Sequence, residues 1–330
     1  MWQGLLVCIA LTAAGFGLAQ LPPLADAGIS PLVVALLLGI VVGNTPLTRW
    51  FHHTAPGLKF ATSRLLRSGI VLFGLSLTLQ QIMALGPRVL LLDMLVICCV
   101  LTAGYLIGTR VLGMDRETTL LTSAGSAICG AAAVLATEST IRSRPAATSM
   151  AVATVVLFGS LAMLVYPLLY PLLGLDEGLF GVYIGATVHE VAQVVAAGEA
   201  VGPDALANAV IVKLVRVMLL VPFLLIVGQW WLHHQPAEAG AEKVTLVIPW
   251  FAFGFLAMVV FNSLVALPDP LHDGLVMAGQ LALTMAMAAL GYETRISKLK
   301  ALGIKPFILA LTLFVLLLGG GLLASTLLMG

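Results

Sequence analysis

Long apolar segments separated by short polar ones recur along the whole chain. Each segment is continuously apolar rather than alternating with a period of two, so the pattern indicates membrane-spanning helices and excludes a β-barrel. A helical span needs about 20 apolar residues, and most segments are close to that length. The pattern predicts eleven helices, at about 4–21, 30–46, 66–83, 88–110, 118–138, 147–172, 179–198, 206–231, 247–266, 274–292 and 306–328.

The composition supports an all-α integral membrane protein. Of the 330 residues, 60% are apolar and only 9% are charged, whereas about a quarter are charged in a soluble domain. The 16 basic and 15 acidic residues nearly cancel, so there is no basic field for nucleic acid. The four cysteines lie inside apolar segments and predict neither a disulfide framework nor a metal site. No Lys or Arg precedes Arg49, so the first segment is expected to be a helix rather than a signal peptide.

The basic residues of the short loops predict the orientation. Eleven crossings place nine of them on one side, which should be cytoplasmic, and three on the other. The N-terminus is then inside and the C-terminus outside. The nine are Arg49, Lys59, Arg110, Arg116, Lys243, Arg295, Lys298, Lys300 and Lys305, and the three are Arg88, Arg142 and Arg144.

Eleven helices can be divided into one extra helix (1–29) and two sets of five (30–175 and 176–330). A set with an odd number of helices puts its second copy upside down, which is the plan of many secondary transporters. Three weak sequence matches fall in corresponding helices: 38–44 with 184–190, 64–67 with 213–216, and 123–130 with 286–291.

The third match concerns two clusters of small residues in the middle of spans. Gly and Ser weaken a helix, and a break within a membrane is tolerated only around protein or a cavity. The N-terminus of a half-helix presents free N–H groups and partial positive charge, which suits an anion. The clusters therefore predict breaks at 123–130 and near 286–291. The alternative is close helix packing through small residues, as in Gly-x-x-x-Gly interfaces.

Charged side chains within the apolar segments are candidates for function, because a charge at the bilayer centre costs roughly 2.5–3.5 kcal/mol. Lys213 and Arg216 must therefore pair, line water or extend to headgroups, and Arg64 and Arg67 begin a helix on the other side of the midplane. Plain snorkelling to lipid headgroups is the alternative for these residues. Asp93, early in the fourth segment, is expected at the interface.

A second polar cluster lies in the seventh segment. His189 and Gln193 are four residues apart and would share a helical face with Glu190 beside them. The imidazole titrates near neutrality and could carry a coupling proton; a hydrogen-bonded packing cluster is the alternative. The sequence His-Glu-Val-Ala-Gln also begins like a zinc-protease motif, but the second histidine is absent, so the ligand set fails.

At these residues the chain resembles the YeiH-type bacterial inner-membrane proteins, which are labelled conserved hypothetical membrane proteins or sulfate exporters. The resemblance rests on 125–138, 188–198, 213–217, 248–251, 262–263 and 286–291, and it covers nearly the whole chain. It implies a relation to bile-acid symporters and sodium/proton antiporters, with two inverted five-helix repeats and crossed, broken helices. It also implies the bacterial inner membrane and names a family more firmly than a substrate.

Together these features predict a secondary transporter for a small anion such as sulfate or a sulfonate, with no enzymatic activity, cofactor or metal. The alternatives are a cation-coupled transporter or cation/proton antiporter on the same fold, and an anion channel. The expected partners are the anion and the lipid bilayer, and a homo-oligomer is left open. The residues expected to bind the anion are Arg67, Lys213, Arg216, Ser126, Cys129, Gly130, Leu290 and Gly291, and those expected to couple an ion are His189, Glu190 and Gln193.

Overall fold

The computed structural model describes residues 1–22, 30–45, 54–233, 249–293 and 303–330, and in these ranges it is helical without strands. Five of the basic residues used to predict the orientation, Arg49, Lys243, Arg295, Lys298 and Lys300, lie outside these ranges. The helices are α1 (Trp2–Ala19), α2 (Pro31–Gly43), α3 (Ala55–Ser76), α4 (Leu79–Leu85), α5 (Arg88–Val111), α6 (Arg116–Ala127), α7 (Ala131–Ile141), α8 (Pro145–Leu173), α9 (Glu177–Thr187), α10 (Val191–Glu199), α11 (Pro203–Met218), α12 (Leu220–His233), α13 (Trp250–Leu264), α14 (Asp269–Glu293) and α15 (Ile304–Met329).

Six of the described spans are long and apolar enough to cross a membrane, and the pair α3–α4, bent by 92°, makes a seventh. The six are Trp2–Ala19, Arg88–Val111, Pro145–Leu173, Pro203–Trp231, Asp269–Glu293 and Ile304–Met329. The chain is therefore a multi-pass helical protein, as its sequence predicts. The remaining predicted segments form shorter helices, so a total of eleven spans stays a prediction.

The chain divides into two compact units. Unit 1 consists of Met1–Gly86, Val195–Ala207 and Trp250–Ser297, and unit 2 consists of Pro87–Val194, Asn208–Pro249 and Lys298–Gly330. Each unit contains residues from both halves of the sequence. Neither unit therefore corresponds to one of the two repeats predicted on either side of the boundary at 175/176. That boundary stays a prediction.

In unit 1, α14 runs unbroken from Asp269 to Glu293, so the break predicted near 286–291 is wrong. Its small residues instead let α2 approach: a Cβ on Gly291 would meet the Leu36 carbonyl, and one on Gly39 would meet the Ala288 carbonyl. This is close packing between glycine-bearing helix faces. The cluster therefore serves packing, and its backbone groups stay within the helix.

The bend between α3 and α4 interrupts a span of unit 1. The amide of Asn262 donates to the Leu77 carbonyl over 3.0 Å, and the Leu79 N–H donates to the Ser263 hydroxyl over 2.7 Å. Thr78 closes the turn as the N-cap of α4. Two neutral polar residues of α13 thus satisfy backbone groups that the bend releases.

In unit 2, α6 and α7 form a helical hairpin, called hairpin 1, with its tip at 128–130. The tip falls within the predicted break at 123–130 and confirms it. Arg144, just beyond the end of α7, binds Asp115 and Glu117 at the start of α6, each over 2.9 Å. The two ends of the hairpin therefore lie together.

This geometry corrects part of the predicted orientation. Eleven straight crossings put Arg116 and Arg144 on opposite sides of the membrane. The ion pairs of Arg144 with Asp115 and Glu117 place both ends of hairpin 1 at the same level, because side chains cannot bridge a bilayer. Arg142 and Arg144 hence lie on the same side of the membrane as Arg116.

The helices α9 and α10 are also separated by a three-residue break, at 188–190, and are called hairpin 2. The seventh segment is therefore not one continuous helix, and His189 and Gln193 do not share a helical face as predicted. The Asn208 amide, near the start of α11, donates to the Gly178 carbonyl near the start of α9. Since α10 leads from the tip to α11, the chain returns to the end from which α9 began.

The two hairpins repeat one local plan. In each, an aspartate (Asp115 or Asp176) caps the first helix through its side chain, a three-residue break follows, and after the second helix a proline (Pro145 or Pro203) opens the next long helix. Hairpin 1 precedes α8 and hairpin 2 follows it, so they start from opposite ends of this 29-residue helix. A helix of that length is about 43 Å long.

Candidate functional site

Lys213 of α11 joins the two hairpin tips. Its ammonium donates to the carbonyl of Ile128 over 2.7 Å and to that of Val188 over 2.8 Å. Its side chain is fully buried. Snorkelling to a headgroup is therefore excluded for Lys213, because its charge is directed at backbone oxygens within the protein.

Arg216, one helical turn further along α11, makes the same connection with more bonds. Its Nε donates to Ala127 over 2.7 Å, its Nη2 to Ser126 over 3.1 Å and its Nη1 to Ala186. All three acceptors are carbonyl oxygens at the C-terminal ends of α6 and α9, where a helix carries partial negative charge. The buried guanidinium thus satisfies carbonyl groups that the two breaks leave without helical partners.

The other side of each tip begins the second helix of its hairpin. Glu190, in the tip of hairpin 2, accepts a hydrogen bond from the Ala131 N–H of hairpin 1 over 3.2 Å. Gln193 accepts one from the Glu190 N–H over 3.0 Å. A carboxylate therefore lies at the N-terminus of α7, the position that an anion would favour.

The segment Ser126–Gly130, predicted to bind the anion, is arranged differently from the expectation that its N–H groups are free. Ser126 and Ile128 direct carbonyl oxygens, not N–H groups, at the basic pair. The N–H end of the interrupted helix begins one residue past Gly130, at Ala131. The direction of the chain explains this, since the break follows the C-terminal end of α6.

Gly130 makes the turn possible. It has a φ of +66°, a conformation that residues with a side chain rarely adopt. A Cβ at this position would also collide with the Glu190 side chain. Gly130 therefore allows both the backbone turn and the close approach of the two tips. Cys129 beside it is buried, with a free thiol.

Several polar atoms around the tips have no hydrogen-bond partner among the residues that the structure describes. They are both ring nitrogens of His189, the hydroxyl of Ser126 and the amide nitrogen of Gln193, and all three residues are buried. Glu190 and Ala131 are partly exposed and Ala132 is exposed. The N-terminal end of α7 is hence the accessible part of this cluster.

Asp93 of α5 is a charged member of the cluster that the sequence prediction misplaced. It was expected at the interface, yet its side chain is fully buried, and neither carboxylate oxygen has a hydrogen-bond partner in the described part of the chain. Its electrostatic neighbours are Arg216 and Lys213.

Three predicted site residues lie in unit 1 and not with this cluster. Arg67 is exposed, with its guanidinium 5.9 Å from the centre of the Phe251 ring. Leu290 and Gly291 lie in the unbroken α14, where Gly291 packs against α2. The structure brings together the other eight, Ser126, Cys129, Gly130, His189, Glu190, Gln193, Lys213 and Arg216, around the two tips of unit 2.

A family model described as Conserved hypothetical protein 698 matches residues 3–310. The chain belongs to this family. It is 47% identical over 330 residues to the UPF0324 membrane protein PA5383 of Pseudomonas aeruginosa, covering 97% of this chain and 92% of the relative. It is 45% identical over 327 residues to the UPF0324 inner membrane protein YeiH of Salmonella typhi, covering 97% and 93%.

The inner membrane protein YeiH of Escherichia coli K12 is 43% identical over 320 residues, covering 96% of this chain and 91% of the relative. These relatives confirm the resemblance found in the sequence, and their names together with the apolar helices identify a multi-pass inner-membrane protein. No solved structure matches the chain.

Proposed function

We propose that this protein is a secondary transporter of a small anion and that the two hairpin tips hold its substrate site. The observation that carries the proposal is the meeting of two interrupted helix pairs at one buried basic pair, Lys213 and Arg216. Irregular backbone at membrane depth is tolerated only where protein or a cavity surrounds it. Discontinuous helices around a central site are the common plan of secondary transporters.

The repeated plan of the hairpins supports an inverted repeat. Hairpin 1 with α8 and hairpin 2 with α11 follow the same order of cap, break and proline, and they start from opposite ends of α8. These two hairpin–helix segments would have opposite orientations in the membrane. In this proposal 123–130 corresponds to the region of 188–190, in place of the sequence match with 286–291.

The basic residues support the same topology. If each hairpin returns to its own side, and if the shorter helices α2 and α13 also cross, these two, the six long helices and the α3–α4 pair make nine crossings. Only Arg88 of the loop basic residues then falls outside. The inside then holds Arg49, Lys59, Arg110, Arg116, Arg142, Arg144, Lys243, Arg295, Lys298, Lys300 and Lys305. This asymmetry is stronger than that of eleven crossings and keeps the N-terminus inside and the C-terminus outside.

The N-terminus of α7 supports an anionic substrate. Its Ala131 N–H already binds a carboxylate, that of Glu190, and it lies at the accessible end of the cluster. A substrate oxyanion would take the place of this carboxylate, with the positive charge of Lys213 and Arg216 behind the tips. Sulfate or a sulfonate has the matching chemistry, since each offers several acceptor oxygens.

Glu190 also supports coupling to protons. An ionised Glu190 competes with the substrate for α7, whereas a protonated one loses the charge that holds it there. Proton uptake would therefore favour anion binding. His189 is buried beside Glu190, and neither of its ring nitrogens has a hydrogen-bond partner within the described ranges, so it is a second candidate for the proton.

A cavity in unit 1 favours the second candidate function, a cation-coupled transporter. It has a volume of about 590 Å³ and is lined by Glu199, Asp204, Gln81 and Ser76 together with apolar side chains. Carboxylate and amide oxygens suit a hard cation. Such a cation would be the coupling ion in place of the proton.

Flux into proteoliposomes tests the proposal. Purified protein should accumulate radiolabelled sulfate or a sulfonate above the outside concentration when an inward proton gradient is imposed. Flux that only equalises concentrations would indicate an anion channel, and accumulation driven by a sodium gradient alone would indicate the cation-coupled alternative. Absence of flux with every anion of a broad panel would contradict the proposal.

A further inference from the structure

The buried charges of unit 2 are unevenly satisfied. Among the described residues, three charged side chains are buried: Asp93, Lys213 and Arg216. The two basic side chains make five hydrogen bonds to tip carbonyls. Asp93 makes none through either oxygen. A buried ionised group without hydrogen bonds is costly, so its presence in this cluster needs a reason.

The packing of α5 places Asp93 near the tips. Gly104 of α5 faces Ser123 of α6, and Gly108 faces Thr119, so the two helices run antiparallel with a step of four residues. Continued in the same direction, the end of α6 at Ala127 lies level with about residue 100. Asp93 then lies about two turns further along α5, on the side of the tips away from the ends of hairpin 1.

The charged groups around Asp93 are few. Lys213 and Arg216 act on it electrostatically from α11. The helices α6, α15 and α9 pack against α5 and contribute Arg116 and Glu117 at the start of α6, Lys305 at the start of α15, and Glu177 and Tyr183 of α9. Glu117 is paired with Arg144, and the Tyr183 hydroxyl donates to the Leu318 carbonyl. Asp93 is therefore the buried counter-charge of the basic pair.

We propose that Asp93 is a proton-binding site of the transport cycle and that its protonation state sets the net charge presented to the substrate. When Asp93 is ionised, it offsets one of the two basic charges. When it is protonated, both basic charges act on the anion. This inference rests on the proposed transport of an anion and adds a second proton site to Glu190. Two proton sites match the charge of a dianion such as sulfate.

Infrared difference spectroscopy on the protein in liposomes tests the proton site without a substrate. On acidification the wild type should gain a carboxylic acid band of a buried, weakly hydrogen-bonded group. Glu190→Gln should retain that band and Asp93→Asn should lose it. A wild type without the band, a band lost in Glu190→Gln, or a band retained in Asp93→Asn would overturn the proposal. The first two outcomes keep it falsifiable even if Asp93→Asn does not fold.

Flux separates this inference from the proposed function. With sulfate as the probe, Asp93→Asn should continue to exchange sulfate while the number of protons moved per sulfate falls by one. An unchanged proton number overturns the role of Asp93 but leaves anion transport standing. A folded Asp93→Asn that exchanges no sulfate also overturns it, because the neutral side chain was expected to favour binding. A wild type that moves no anion at all contradicts the proposed function, while the infrared band still decides the proton site.

Discussion

Two clusters of small residues, at 123–130 in unit 2 and at 286–291 in unit 1, have similar compositions and different structures. The first ends in the tip of hairpin 1, and the second is part of the continuous α14. At the first, Lys213 and Arg216 donate hydrogen bonds to the carbonyls that the break leaves without helical partners. At the second, the glycines contact α2. Small residues therefore permit a break, and buried donors nearby determine where one forms.

The basic pairs differ in the same way. Arg67 in unit 1 is exposed beside Phe251, whereas Arg216 in unit 2 is fully buried against three carbonyls. Spacing along a helix is the same for both pairs, so sequence alone makes them equivalent. The difference lies in which other segments end beside them.

The largest expected effect comes from Arg216→Ala. It leaves three buried carbonyls without donors, and each buried polar group left unsatisfied costs about 1–3 kcal/mol. We expect little folded protein and a much lower melting temperature in detergent. Arg67→Ala is the matched control and should change stability by about 1 kcal/mol or less, as for an exposed cation–π contact.

An Arg216→Ala protein with the wild-type melting temperature would contradict this role of Arg216 in satisfying the carbonyls of the two breaks. An equal loss of stability in both variants would remove the contrast between the two pairs.

The next effect separates the two clusters by glycine substitution. Gly291→Ala should destabilise by about 1–3 kcal/mol through overpacking, because its Cβ meets the Leu36 carbonyl, which belongs to a helix backbone. Gly130→Ala adds strain of about 1–3 kcal/mol at a positive φ and displaces Glu190. Transport per folded molecule should be lost in Gly130→Ala and retained in Gly291→Ala. Melting curves and flux on the same preparations measure both, and retained transport in Gly130→Ala would count against the tip as the site.

Glu190→Gln should have a smaller effect on stability. The new amide oxygen can still accept from the Ala131 N–H, so a neutral bond replaces a charge-assisted one at a cost of about 1 kcal/mol. Anion binding should become less dependent on pH, because one competing carboxylate no longer ionises. Titrating sulfate affinity from acidic to alkaline pH measures this, and a wild-type profile would exclude Glu190 as a coupling group.

The smallest effect is expected at the open end of hairpin 1. Burial alone would raise the pKa of Asp115, but hydrogen bonds from Thr118 and the charge of Arg144 bring it below its ordinary value of 3.8. The ionised Asp115 carboxylate therefore stabilises the folded protein at neutral pH, and this stabilisation is lost as the pH falls through the lowered pKa. Arg144→Gln should lower the melting temperature slightly at low salt and not at high salt, since the pair is exposed.

Much of the architecture follows from the sequence, because apolar length predicts helices and a cluster such as 123–130 predicts a break. The break at 188–190 was missed since His189, Glu190 and Gln193 have a spacing that also fits one helical face. The hairpin geometry was missed because hydropathy gives the length of an apolar segment but does not show whether the chain crosses the membrane or turns back to the side from which it entered. The ion pairs of Arg144 show that the end of α7 lies level with the start of α6.

The candidate site was predictable where polarity within an apolar segment is itself the signal, as for Glu190, Lys213 and Arg216. Asp93 lies near the start of its segment, so the same signal was weak and its burial depends on tertiary packing. Arg67, Leu290 and Gly291 were assigned to the site through the repeat matches, which align sequences and carry no information on which face a side chain occupies.

Cysteine labelling from each side of the membrane tests the central claim that the hairpins enter from opposite sides and return. In a variant with Cys8, Cys98, Cys99 and Cys129 replaced by serine and with transport retained, single cysteines replace Arg116, Arg142, Glu177 or Asp204. A membrane-impermeant maleimide should label positions 116 and 142 from the same face and positions 177 and 204 from the other. Labelling of 116 and 142 from opposite faces would show that α6 and α7 cross the membrane as one span, and would contradict the account.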